Sequence, residues 1–104
     1  MSFGASSPTI CISTTATSKS LALPICAQAR IVNTSTTLIA YVQFGVGSAT
    51  AVIPTADGAG SACYALHPSS SEIVDVPRGA DFVASIASGA GPTLVYITPG
   101  FEKP

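Results

Sequence analysis

The sequence predicts an all-β fold, an antiparallel β-sandwich or jelly-roll-like domain of six to eight short strands. Three observations lead there. Apolar residues recur with a period of two in short segments, and no stretch carries a 3.6-residue apolar stripe over more than two turns. Proline, glycine and serine clusters interrupt those segments at short intervals. The composition also suits strands. There are 14 Ser and 11 Thr, while Glu, Lys, Gln and Met are scarce. β-Branched residues are stiff at χ1 and fit a pleated surface. At 104 residues the chain fits one core.

Residues 1–28 are Ser/Thr-rich, with one apolar alternation at Ile10, Cys11 and Ile12. They read as an N-terminal arm or a set of edge strands, ahead of a self-sufficient sandwich domain at 29–104. Arg30 to Asn33 predicts a strand, and Asn33 to Thr37 a polar turn. Leu38 to Gly45 predicts the best-defined strand, with Leu38, Ala40, Val42 and Phe44 facing the core. A short strand is expected at Thr50 to Ile53 and another at Cys63 to Leu66, stopped by His67 and Pro68. Glu72 to Val76 follows, and Val76-Pro77-Arg78-Gly79 reads as a turn with proline at its second position. Phe82 to Ala87 and Thr93 to Thr98 predict two strands, joined as a hairpin by Ser88 to Pro92 and ended by Pro99-Gly100.

The last of these strands is apolar on both faces, with Leu94 and Tyr96 on one and Val95 and Ile97 on the other. A sandwich strand with one wet face should alternate with polar residues. Either the strand is central and covered on both sides, or its outer face meets a partner protein. The partner is the expectation adopted, since large exposed apolar patches generally mark interaction sites. The candidate interface residues are Val95, Ile97, Ile39, Tyr41, Ile10 and Ile12.

Charge excludes other classes. Only 9% of residues are charged, against about 25% in ordinary soluble domains. Lys19, Arg30, Arg78 and Lys103 are scattered singly, so no basic cluster exists for nucleic acid or an anionic membrane. The longest apolar run is far short of a membrane helix. Cys11, Cys26 and Cys63 form no C-x-x-C unit and are expected to be free, buried thiols, the alternative being one disulfide and a leftover thiol. Met1 to Ser7 lacks a basic region, and the apolar stretch after Lys19 is broken by Pro24. Synthesis in a reducing cytoplasm is therefore expected, without stable disulfides.

No catalytic constellation stands out. The one histidine, His67, precedes Pro68 at a strand end, and no Gly-x-Ser-x-Gly elbow displays a nucleophile. Glu72, Asp75 and Asp81 are candidate paired carboxylates, but solvated strand-end charges account for them, with Arg78 as a possible ion-pair partner. The glycine-rich stretches at Gly45 to Ser48 and Gly58 to Gly60 lack the Gly-Lys-Ser/Thr of a phosphate loop. The chain is expected to be no enzyme, with no catalytic, metal or cofactor-binding residue.

Two segments taken together resemble small virion structural proteins of tailed bacteriophages, of the capsid cement or decoration type. Arg30-Ile31-Val32-Asn33-Thr34 followed by Ala40-Tyr41-Val42-Gln43-Phe44-Gly45 is similar to their opening strands. Val76-Pro77-Arg78-Gly79-Ala80, Val83 to Ala87 and Leu94-Val95-Tyr96-Ile97-Thr98-Pro99-Gly100 resemble their ending. The likeness covers about Arg30 to Glu102. It departs at Ser35, where a glycine is common, and gives residues 1–29 no counterpart. It implies a β-domain found in the virion and made in the host cytoplasm. Its implied partners are the major capsid protein and copies of itself, as a trimer. The alternatives are a head-fibre, tail or connector component and, in a different class, a secreted carbohydrate-binding β-sandwich. The absence of Trp and the low aromatic content weigh against the last.

Overall fold

The computed structural model describes residues 2–5, 8–53, 63–89 and 92–103. These form nine strands and no helix: β1 (Ser2–Ala5), β2 (Ile10–Thr14), β3 (Lys19–Ala22), β4 (Gln28–Asn33), β5 (Ala40–Gly45), β6 (Tyr64–Leu66), β7 (Ser71–Asp75), β8 (Phe82–Ala87) and β9 (Thr93–Lys103). The all-β expectation holds. Two antiparallel sheets enclose one core. Sheet A runs β1/β2-β9-β4-β7 and sheet B runs β3-β8-β5-β6.

A single numerical relation organises these pairings. Ile10 lies opposite Ile97, Lys19 opposite Ser85, Gln28 opposite Asp75 and Ala40 opposite Leu66. Each pair of residue numbers adds to between 103 and 107, so the chain is one long hairpin folded about residues 52–53. Rolling that hairpin creates a second set, with Gln28 opposite Gly100 and Ala40 opposite Ala87. Eight strands paired in this way make a jelly roll.

Rolling explains why most consecutive strands fall in different sheets. The hairpin expected between Phe82–Ala87 and Thr93–Thr98 is not formed. β8 pairs with β3 and β5, whereas β9 pairs with β1, β2 and β4.

Strand patterns fix the core. β5 alternates strictly, with Ala40, Val42 and Phe44 inside. Ile12, Ile31, Leu66, Val83, Val95 and Ile97 are fully buried with them, and Phe44 meets Tyr64 edge to face with ring centroids 6.2 Å apart. Of the two forms expected for residues 1–28, the described residues take edge strands. β1 and β2 lie end to end along β9, and β3 flanks β8. They also feed the core, through Ile12 and Leu23.

Three local expectations are corrected. Thr50 to Ile53 is irregular, not a strand, with Ala51 buried and its N–H bonded to Ser18 Oγ at 2.9 Å. The tight turn is Pro77–Ala80, closed by the Ala80 N–H on the Pro77 carbonyl at 3.1 Å. Proline therefore stands first in the turn and Gly79 third, with the positive φ of 80° that a type II turn needs. Finally, Pro99-Gly100 does not end β9. The Thr34 N–H bonds to the Leu94 carbonyl, so even-numbered residues of β9 bond toward β4 and odd-numbered ones face away. The nitrogen of Pro99 thus points into the gap between β2, paired to 93–97, and β1, paired to 100–103. No ladder bond is lost there, and the strand continues.

Candidate interaction surface

The six residues expected at a partner interface separate into two groups. Val95, Ile97 and Ile12 are fully buried in the chain's own core and present no surface to a partner. Their rows set the reason. Ile97 lies between Ile10 and Ile31, and Val95 between Ile12 and Asn33, on the face that meets sheet B. Ile10 is half-buried and packs against the core margin. Ile39, just before β5, and Tyr41 on sheet B are half-buried, and Tyr41 lies beside Ile86 and Ala65.

The other face of β9 is the accessible one. Leu94 is 41% exposed and Tyr96 half-buried. Tyr96 lies in one cross-strand row with Cys11, Val32 and Ser71, and Ile73 of β7 is 53% exposed one row further along. Sequence reasoning identified a doubly apolar strand but chose its buried half. The β-branched Val95 and Ile97 and the larger Leu94 and Tyr96 are equally plausible on a strand face, so the residue types carried no deciding signal.

A second apolar group stands at one end of the sandwich. Ile25 is 72% and Val46 68% exposed, in the β3–β4 and β5–β6 connections. Asp81 ties these connections together. Its carbonyl accepts the Leu23 N–H at 2.8 Å, its N–H donates to the Gly45 carbonyl at 3.0 Å, and its Oδ1 accepts the Gly47 N–H at 2.8 Å. Beside Ile25 an open groove of about 410 Å³ is lined by Cys26, Ala27, Val76 and Arg78. The opposite end is hydroxyl-rich, carrying Thr34 to Thr37, Ser69, Ser70 and Ser88.

The polar residues considered for chemistry have structural surroundings. His67 is exposed, and its carbonyl accepts Ser70 Oγ at 2.7 Å and Asn33 Nδ2 at 3.3 Å. Glu72 and Asp75 are exposed on the edge strand β7, where Gln28 Nε2 donates to Asp75 at 3.4 Å. Among the described residues, no group of three His, Cys, Asp or Glu side chains is placed to hold a metal ion.

All three cysteines are free, but none is fully buried, contrary to expectation. Cys11 is exposed on the outer face of β2 because Ile10 and Ile12 flank it and only the latter reaches the core. The Cys63 thiol donates to Gln43 Oε1 at 3.3 Å and to the Val52 carbonyl at 3.4 Å. Burial pushes the Cys26 thiol above its ordinary range, and a hydrogen bond from the Gly100 backbone partly offsets this.

Comparison of the chain with protein-family models, curated proteins and solved structures finds no match.

Proposed function

We propose that the chain is a structural protein of a phage virion, which stabilises or decorates the capsid through contacts with the major capsid protein and with copies of itself. The observation that carries this reading is the exposure of large apolar side chains on a nearly uncharged domain. Ile25, Val46, Ile73 and Leu94 all stand at the surface. Only nine of the 104 residues are charged. Such a surface attracts apolar partners and repels neighbours weakly, which suits a crowded shell. The jelly roll is compatible with that role, being a fold of viral capsid domains, but it also serves lectins and cupins, so it supports the reading by analogy alone.

The test is peptide mass spectrometry of purified particles from the source that encodes the chain. A copy number comparable to that of the shell subunit is expected. A handful of copies would favour the head-fibre, tail or connector alternative, and absence from particles would overturn the proposal.

A further inference from the structure

We infer that β2 is a docking edge for a second copy of this chain, pairing antiparallel with its counterpart about a two-fold axis through Ile12 and extending sheet A across both molecules.

Among the described residues, β2 has a ladder partner on one side only. Odd-numbered residues of β9 bond toward β2, which fixes Ile10, Ile12 and Thr14 as the residues bonded to β9. The N–H and C=O groups of Cys11 and Ser13 therefore face outward from the sheet edge. An open edge is a template for pairing unless charge, proline, shortness or a cap blocks it.

The other edges carry such blocks. β3 bears Lys19, and β1 and β6 are only four and three residues long. β7 bears Glu72, exposed although it lies on the core-facing side of the strand, and the outward carbonyl of Asp75 accepts the Tyr64 hydroxyl at 3.0 Å. β2, Ile-Cys-Ile-Ser-Thr, has no charge, no proline and no cap among the described residues.

A second copy suits this edge because the strand is complementary to itself. With Ile12 on the axis, Cys11 lies opposite Ser13 of the other copy. The four outward groups on each strand then form four backbone hydrogen bonds between the molecules, with no like charges opposed. Ile10 comes opposite Thr14 of the other copy, a β-branched pair in the layer that faces the core. The row of Cys11, Tyr96 and Val32 becomes continuous across the joined face. An edge of five residues a side buries less than the ~1,200 Å² of standard interfaces, so the dimer is weak and forms at high local concentration. The inference concerns the isolated protein and stands or falls independently of any role in a particle.

Sedimentation velocity of the purified full chain, from about 10 μM to about 1 mM, should show a concentration-dependent dimer. Ser13→Pro and Cys11→Pro each remove an outward N–H that β9 does not use. Each should weaken dimerisation at least about tenfold while the circular dichroism spectrum is retained. Ser13→Cys provides a readout that leaves the backbone intact. The introduced thiol then lies about 5.5 Å, Cα to Cα, from Cys11 of the other copy, within disulfide range, whereas the two Cys11 residues are offset diagonally. Mild oxidation should link Cys11 to the introduced thiol of the other copy far faster than it links wild-type Cys11 to itself, as read by peptide mapping. A wild-type chain monomeric throughout the range, a folded proline variant that dimerises like wild type, or a Ser13→Cys chain that does not form this link between copies would overturn the inference.

Discussion

The hydroxyls of Thr14 and Ser85 meet at 2.7 Å between the two sheets, where both residues are fully buried. Thr14 Oγ1 also reaches the Ile12 carbonyl at 3.2 Å, so its proton goes there and Ser85 donates to Thr14. Thr14→Val strands the Ser85 donor and should cost about 1–3 kcal/mol, whereas Ser85→Ala should cost about 1 kcal/mol. The double variant should be less destabilised than the sum of the two, because it leaves neither group unpaired. Urea unfolding of the four proteins measures this, and simple additivity would contradict it.

Asn33 is the most heavily used buried side chain. Its Nδ2 donates to the carbonyls of Leu38 at 2.8 Å and Leu66 at 3.1 Å, while its Oδ1 accepts the Ser35 N–H at 3.1 Å. Asn33→Ala should lower unfolding stability by about 3 kcal/mol or more, since several buried backbone groups lose their partner together. A loss below about 1 kcal/mol would show that water replaces the amide.

Two glycines should respond differently to alanine. At Gly79, with φ of 80°, an added Cβ meets nothing, so Gly79→Ala should cost about 1 kcal/mol through backbone strain alone. At Gly45 the Cβ would collide with the Ser48 carbonyl oxygen, which is backbone and cannot swing aside. Gly45→Ala should therefore shift the melting temperature more than Gly79→Ala, and the reverse order would contradict the geometry.

The thiols give a prediction in pH. Because burial raises the Cys26 pKa, the folded chain holds that proton more tightly than the unfolded chain does. The associated stability is present below the ordinary thiol range and is lost as pH rises through the raised folded value. Alkylation of Cys26 in the native protein should rise at higher pH than in the urea-unfolded protein, as measured by mass spectrometry of labelled peptides. Since no cysteines are paired, a reductant should leave the melting temperature unchanged.

Removing residues 1–28 should prevent folding. The deletion strips β2 from β9 and β3 from β8, and it takes Ile12 and Leu23 out of the core. Loss of one large core side chain costs about 2–5 kcal/mol, so losing two with their strands exceeds the stability of a domain this size. A cooperative thermal transition in a chain beginning at Ala29 would refute this.

The sequence by itself determined where most of the strands between Gln28 and Thr98 lie, because alternation and turn chemistry are local. Ala40, Val42 and Phe44 announce one buried face through their own spacing, and Pro68, Pro77 and Gly79 punctuate the chain through their own backbone restrictions. Alternation says that a strand has two faces without saying which one is covered. In β9 both faces are apolar, and only its neighbours Ile12, Ile31 and Asn33 turn Val95 and Ile97 inward and leave Leu94 at the surface. Tertiary structure likewise decided that residues 1–28 complete the sheets, that β8 and β9 part company, and that Pro99 lies within a strand. The physical reason is that these outcomes depend on pairing between strands far apart in the chain. Cys11 meets Tyr96 across 85 positions of sequence, and no local pattern at either residue specifies the other.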